Sequence, residues 1–173
     1  GWRAMSDVEV DEMVGVIAST SRQMGGIVED LLASARSDLG ELAVVPWKVF
    51  LFDEAKAALP TVDLGDREVF FVGGDVTAWA DGGRVRQIVR NLVSNAVRHG
   101  DGPIRIEAFT QGDQAVMRVY DQGDGVPLEQ IDQMFEPYWI GHQGKGHTES
   151  IGLGLSLSRL LAQRMDGNLV YRR

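Results

Sequence analysis

The sequence contains no cysteine, so disulfides, thiolate metal sites and cysteine nucleophiles are excluded. It also lacks a basic surplus: 17 Lys and Arg stand against 25 Asp and Glu, and the net charge of −8 argues against a domain that holds nucleic acid by its phosphates. No apolar run approaches the roughly 20 residues that span a bilayer, and no secretory signal opens the chain. These absences predict a cytoplasmic fragment without membrane contact of its own, and they leave open a membrane anchor elsewhere in the parent protein.

The residues that are present divide the chain into two zones that meet near residues 40–46. With 44% hydrophobic and 24% charged residues, the composition is that of a globular protein. We predict a helical part over residues 1–40 and a mixed α and β part over residues 41–173.

The first zone has an apolar stripe to which Met13, Ile17 and Leu31 belong, with spacings of four and three residues. This period is typical of a helix that packs into a bundle, although a helix that covers its own domain has the same pattern. Gly25 and Gly26 weaken the middle of the helix, because each glycine costs about 1 kcal/mol relative to alanine.

The second zone alternates helix and strand patterns. The predicted helices are Val49–Leu59, which Pro60 should end, a helix capped by Asp81 that runs to about His99, and Leu153–Met165. The predicted strands are Glu68–Val72, Thr77–Ala80, the hairpin Ile104–Thr110 and Ala115–Tyr120, and Asn168–Tyr171. This order predicts an α+β fold, a two-layer sandwich in which helices cover one face of a mixed β-sheet, preceded by the long amphipathic helix.

Three polar residues of the central helix, Asn91, Asn95 and Arg98, are spaced four and three apart and therefore share one helix face. Asparagine is a poor helix former, so two within five residues call for a reason. An amide oxygen is a hard ligand that suits Mg²⁺ together with substrate phosphates. A solvated polar face is the alternative.

Asp121 follows a predicted strand and is itself followed by Gly123 and Gly125. A carboxylate only accepts hydrogen bonds, so it suits the exocyclic amine of adenine better than a phosphate. The glycines allow a sharp turn and a close approach to a flat ring. An ordinary acidic, glycine-rich turn remains the alternative. A calcium loop is disfavoured because further spaced oxygen ligands are missing.

Gly152 and Gly154 stand where a loop enters a helix. Free backbone N–H groups and the helix dipole make such a place suited to anions, whereas a simple turn would need the same glycines. No Gly-Lys-Ser/Thr follows, so this is not a phosphate loop of the Walker type, and a third glycine for a dinucleotide fingerprint is lacking.

Four segments in fixed order together resemble the N, G1, F and G2 boxes of the histidine-kinase catalytic domain, whose superfamily includes the gyrase, Hsp90 and MutL ATPases. They are Arg90–His99, Asp121–Gly125, Phe135–Tyr138 and Gly152–Leu155. The resemblance covers about residues 47–173. Residues 28–36 are similar to the end of the second helix of the kinase dimerisation and histidine-phosphotransfer domain.

The resemblance implies ATP and Mg²⁺ as cofactors. It implies that Asn95 coordinates Mg²⁺, that Asn91 contributes to the same phosphate region, and that Arg98 and His99 lie near the phosphates. It likewise implies that Asp121 binds the adenine amine beside Gly123 and Gly125, that Phe135 and Tyr138 support a lid over residues 136–151, and that Gly152, Leu153 and Gly154 meet the phosphates. Lys145 in this lid is a phosphate candidate or a solvated lysine.

Hydrolysing members of the superfamily carry a glutamate one turn before the magnesium asparagine, and this chain has Asn91 there. An amide cannot act as a general base, which favours transfer of the γ-phosphoryl group over hydrolysis. We therefore predict slow intrinsic ATP hydrolysis.

The acceptor of the phosphoryl group is not evident, because His99, His142 and His147 all lie outside the helical zone. We predict an ATP-dependent histidine kinase region whose acceptor histidine is outside this chain, with a homodimer in the full-length protein and a response regulator as partner. An anti-sigma-factor-type serine kinase and a degenerate nucleotide-sensing module are the alternatives. A metal site formed by His142, His147 and Glu149 is disfavoured for want of a further ligand.

Overall fold

The computed structural model describes residues 6–38, 42–139 and 152–173. Its helices are α1 (Asp7–Asp38), α2 (Leu51–Ala58), α3 (Gly82–His99) and α4 (Gly154–Arg164). Its strands are β1 (Trp47–Phe50), β2 (Val69–Gly73), β3 (Thr77–Ala80), β4 (Ile104–Gln111) and β5 (Gln114–Tyr120). Short 3₁₀ turns occupy Leu59–Thr61, Leu128–Gln130 and Gln133–Phe135.

The strands form two sheets within the described residues. β1 and β3 pair antiparallel, with Val49 opposite Ala78. In the larger sheet, β4 is the central strand: it runs parallel to β2 and antiparallel to β5. The larger sheet is therefore mixed, and the α+β class predicted from the order of elements is confirmed.

One face of the larger sheet packs against α2 and α3. Val89 and Val93 of α3 are fully buried against Ile104 and Ile106 of β4, in the same cluster as Ala55 of α2. Burying a valine or isoleucine side chain stabilises a fold by roughly 1.5–3 kcal/mol. This contact therefore fixes the orientation of α3, and with it the direction in which its polar face points.

The fourth helix packs against α3 on a second, smaller cluster. Leu157 and Leu161 of α4 are buried there with Leu42, and Ile88 of α3 packs against them. The start of α4 is thereby held beside the middle of α3.

Two predicted helix boundaries and one predicted strand are wrong. Val49 and Phe50 belong to strand β1 and not to a helix, and Pro60 lies inside a 3₁₀ turn that continues α2. The predicted strand Asn168–Tyr171 is not formed, because its residues have no strand partner among the described residues and Tyr171 contacts a loop instead.

Helix α1 is continuous through Gly25 and Gly26, the two residues that were expected to weaken its middle. Ser6 and Glu9 cap its start reciprocally: the Ser6 N–H donates to Glu9 Oε2 at 2.7 Å, and the Glu9 N–H donates to Ser6 Oγ at 3.3 Å. The residues of the predicted apolar stripe, such as Ile17, are exposed in this single chain.

Candidate functional site

The polar face of α3 is set by the start of the helix. Asp81 caps it as predicted, since its Oδ1 accepts a hydrogen bond from the Arg84 N–H at 3.2 Å. The helix then runs unbroken to His99. Asn91 and Asn95 therefore lie one turn apart on the same face.

Asn91 joins α3 to the beginning of α4. Its side chain is 9% exposed, and its Nδ2 donates to the carbonyl oxygen of Gly154 and to Oγ of Ser158, each at 3.2 Å. Both amide protons are thus used inside the protein, and only the side-chain oxygen is left for other partners.

Asn95 is in a different state. It is half-buried, and its side chain makes no hydrogen bond within the described part of the chain. One turn later, Arg98 is half-buried and His99 is exposed, both in the last turn of α3. The C-terminal end of this polar face therefore presents an amide and two basic side chains.

The loop that begins with Asp121 packs directly against the end of α3. The Gln122 N–H donates to the Asp101 carbonyl oxygen at 2.9 Å. A Cβ placed on Gly100 would lie 2.5 Å from Cβ of Asp121, and one placed on Gly123 would lie 2.7 Å from Cα of Gly100. Glycine at these two positions permits the two backbone segments to touch.

One oxygen of the Asp121 carboxylate is already used. Gly123 donates its N–H to Oδ1 of Asp121 at 2.8 Å, which closes a small turn and fixes the carboxylate. Asp121 is exposed, and its second oxygen makes no hydrogen bond within the described residues. The loop therefore presents one oriented acceptor.

Gly152, Leu153 and Gly154 form the entry to α4. Gly152 has φ +73°, and its carbonyl oxygen accepts from the Tyr138 N–H at 3.0 Å. Leu153 is 5% exposed, so its side chain packs inside the protein, and its carbonyl oxygen accepts from the Ser156 hydroxyl. Gly154 is the first residue of α4.

The segment around Phe135 is held by a contact that the sequence did not reveal. The guanidinium of Arg159, on α4, lies over the Phe135 ring at 4.6 Å. Phe135 is half-buried, whereas Tyr138 is exposed with φ 65°. The base of the predicted lid is thus supported from α4.

Arg67 is a second residue whose role the sequence pattern did not indicate. Its Nη1 donates to the carbonyl oxygens of Ala96 (3.2 Å) and Gly100 (3.0 Å), and its Nη2 donates to that of Asp101 (2.9 Å). It therefore caps the C-terminal end of α3, where free carbonyls and the helix dipole favour a cation.

Three of the four predicted segments are thus brought together around α3: Asn91 contacts the start of α4, and Gly100 contacts Asp121. Lys145, His142, His147 and Glu149 lie outside the described residues. Among the residues that are described, no three His, Asp or Glu side chains form a metal-binding group. No helix in that same part of the chain is both long and apolar enough to cross a membrane.

Comparison with known proteins gives a family for this arrangement. The family described as histidine kinase-, DNA gyrase B-, and HSP90-like ATPase matches residues 80–173. The signal transduction histidine-protein kinase AfsQ2 of Streptomyces coelicolor is 30% identical over 158 residues, 88% of this chain and 28% of AfsQ2. The sensor protein CutS of the same species is 30% identical over 94% of this chain and 41% of CutS. The chain thus spans less than half the length of these curated relatives.

Solved structures share the fold. The histidine kinase AdeS of Acinetobacter baumannii superposes with a TM-score of 0.65 at 18% identity, over 98% of this chain and 79% of that one. A mycobacterial sensor histidine kinase, MprB, gives a TM-score of 0.58 at 21% identity, over 70% of this chain and 81% of that one.

Proposed function

We propose that this chain is the catalytic part of a sensor histidine kinase. The chain belongs to the family of histidine kinase-, DNA gyrase B- and HSP90-like ATPases. In this proposal it binds Mg–ATP and donates the γ-phosphoryl group to a histidine outside the chain. The observation that carries the proposal is the contact of one helix, α3, with both the Asp121 loop and the start of α4.

Adenine recognition is assigned to Asp121. Because the Gly123 N–H occupies Oδ1, the other carboxylate oxygen is the acceptor for the exocyclic amine of adenine, which is a donor. Gly123 and Gly125 lie in the same turn. The close packing of Gly100 against Asp121 supports the assignment, because it places this acceptor next to the last turn of α3.

The phosphates and Mg²⁺ are assigned to the polar face of α3 and the start of α4. The residues present fit a magnesium ion, because Asn95 offers a hard oxygen that no side-chain hydrogen bond within the described residues engages. Bound Mg²⁺ would neutralise part of the phosphate charge. Arg98 supplies further positive charge and His99 can offer a ring N–H, and the backbone N–H groups of Leu153 and Gly154 at the start of α4 can donate to the phosphate oxygens.

Transfer is favoured over hydrolysis by Asn91. Its amide protons hold the Gly154 carbonyl and the Ser158 hydroxyl, and an amide is not a base. This position on α3 therefore holds the phosphate-binding segment in place and does not activate water.

The wider protein is part of the same proposal. Residues 1–40 are assigned to part of a dimerisation and histidine-phosphotransfer helix and residues 41–173 to the ATP-binding domain. The exposed stripe of α1, with Ile17 58% and Met24 62% exposed, supports a homodimer in the full-length protein, because a partner helix would cover it. A response regulator is the proposed downstream partner.

Phosphate release in excess Mg–ATP tests the donor assignment. We expect the chain to bind ATP and yet to release phosphate only slowly over many minutes. Fast multiple-turnover release of phosphate that is abolished by Asn95→Ala would contradict the donor role. The proposal that the chain binds ATP would not be contradicted by that result. Absence of nucleotide binding would contradict the whole proposal.

A further inference from the structure

The chain after α4 reaches back to the Asp121 loop. The hydroxyl of Tyr171 accepts a hydrogen bond from the Val126 N–H at 3.0 Å, and Nη2 of Arg173 donates to the Asp124 carbonyl oxygen at 3.2 Å. These are contacts across more than 40 positions of sequence. Residues 168–171 were predicted to form a strand from their pattern. In the structure, Tyr171 of this segment instead contacts the loop at Val126.

Gly125 lies between these two contacts and depends on the tyrosine. It has φ +72°, and a Cβ placed on it would overlap the hydroxyl oxygen of Tyr171. A glycine here is therefore required by a side chain of the protein itself. Its open face is filled by the Tyr171 hydroxyl, with the Arg173 guanidinium nearby.

The loop is consequently held at both ends. Its beginning is held by the two residues that follow α3, because the Gln122 N–H bonds to the Asp101 carbonyl oxygen and Gly123 packs on Gly100. Its other end is held by Tyr171 through the Val126 N–H. If the Tyr171 hydroxyl is removed, the hydrogen bond of Gln122 at the beginning of the loop remains. The Val126 N–H at the other end then loses its hydrogen-bond acceptor.

We infer that Tyr171 is a positioning residue for nucleotide binding, whose hydroxyl fixes the loop 121–126 so that Asp121 points at the base. This inference rests on the proposed function, because it assigns Tyr171 to the adenine side of the same site. Tyr171 acts on the base through the loop backbone and not by contact with the nucleotide.

The substitution Tyr171→Phe removes only the hydroxyl. We expect the affinity for a non-hydrolysable ATP analogue to fall roughly three- to tenfold, the effect of one lost hydrogen bond to a backbone N–H. We expect the preference for this analogue over its inosine counterpart, which carries a carbonyl in place of the amine, to fall as well. A role in stability alone would leave that preference unchanged.

Tyr120→Phe is the matched control. The Tyr120 hydroxyl makes two hydrogen bonds, donating to Glu107 Oε2 and accepting from Arg118 Nη1, each at 3.1 Å, on the face of the sheet away from α3. It precedes Asp121 directly, so it reports any general sensitivity of the neighbourhood. We expect nucleotide affinity and preference to stay at the wild-type values.

A double-mutant cycle measures whether Tyr171 and Gly125 act together on nucleotide binding. Gly125→Ala should weaken analogue binding more in the wild type than in Tyr171→Phe, because the added methyl group overlaps a hydroxyl that the second protein lacks. Additive effects, or an unchanged preference in Tyr171→Phe, would overturn the inference. If the wild-type chain itself failed to bind the analogue, that result would contradict the proposed function and not only the role of Tyr171.

Discussion

The backbone N–H of Tyr138 donates to the carbonyl oxygen of Gly152 at 3.0 Å, which joins two residues that are 14 positions apart in the chain. Both have positive φ, 65° and 73°. A Cβ placed on Gly152 would lie 2.5 Å from the Trp139 carbonyl oxygen and 2.7 Å from the Tyr138 carbonyl carbon. The chain therefore enters and leaves the intervening segment at one closely packed backbone contact, directly before α4.

This contact predicts opposite outcomes for two neighbouring glycines. Gly152→Ala should destabilise the protein by about 2 kcal/mol or more, because it adds both backbone strain and a steric overlap. At Gly154 the nearest atom to an added Cβ is Cγ of Asn91 at 3.6 Å, an ordinary contact, so Gly154→Ala should leave the free energy of unfolding unchanged or raise it.

Urea unfolding of the two variants tests this pair. Equal destabilisation by both substitutions would contradict the geometry described here. If phosphates approach Gly154, the stable Gly154→Ala protein should nevertheless bind an ATP analogue more weakly than the wild type, because the added methyl group lies at the start of α4.

Asn95 should be needed for magnesium and dispensable for stability. We expect Asn95→Ala to lower the Mg²⁺-dependent part of ATP-analogue affinity by about tenfold, the loss expected when a metal ligand is removed. Alanine is the better helix former, so the thermal unfolding midpoint should not fall. Calorimetric titration with and without Mg²⁺ measures the difference, and Ser94→Ala, on the adjacent face of α3, is the control. Unchanged Mg²⁺ dependence in Asn95→Ala would remove Asn95 from the magnesium site.

Arg67 should contribute to stability through the carbonyls at the end of α3. Arg67→Met removes the donor from three carbonyl oxygens and should lower the free energy of unfolding by about 1–3 kcal/mol. Arg67→Lys keeps the charge and should lose less. Arg105→Met is the control, because the one partner of the exposed Arg105 side chain among the described residues is the Tyr120 ring face, a contact of about 0.5–1 kcal/mol. Equal losses for the Arg67→Met and Arg105→Met variants would contradict the capping role.

Much of the fold could be predicted because its central elements have strong periodicity. The helix carrying Asn91, its Asp81 cap and the hairpin of β4 and β5 follow the predicted pattern to within a residue or two. Strand β1 was misread because the apolar run Val49–Phe52 satisfies a strand and a helix equally. Two glycines in the middle of α1 did not break the helix, because their cost of about 1 kcal/mol each is small compared with the stabilisation of a helix of this length.

The supports of the candidate site could not be predicted, because they join residues far apart in sequence. Arg67 bonds to carbonyls 29 to 34 residues later, and Tyr171 bonds to an N–H 45 residues earlier. Backbone carbonyls and N–H groups leave no trace in a sequence pattern. Gly100 and Gly125 were the available signals, since each marks a place where another group comes close.

The cap at the start of α1 makes a prediction about pH. The hydrogen bond from the Ser6 N–H, followed by that from the Ser6 hydroxyl, holds the pKa of Glu9 below its ordinary value of 4.5. Because the folded pKa is lowered, the cap contributes fully above the ordinary value and is lost as the pH falls through the lower folded value. An NMR titration of the Glu9 carboxyl should give a pKa below 4.5, and Ser6→Ala should move it part of the way back. A pKa at the ordinary value in the wild type would show that the cap is not formed.

The nucleotide preference of Asp121→Asn tests whether this chain binds ATP through Asp121. In that variant the side-chain oxygen should still accept from the Gly123 N–H, so that an amide NH₂ faces the base. We predict that affinity for an ATP analogue falls at least about tenfold, as for a lost hydrogen bond to a charged group, while the inosine analogue, with its carbonyl acceptor, becomes the preferred ligand. Asp113→Asn, in the exposed turn of the hairpin, should bind as the wild type does. Undiminished binding of the ATP analogue by Asp121→Asn would show that Asp121 does not bind the adenine amine.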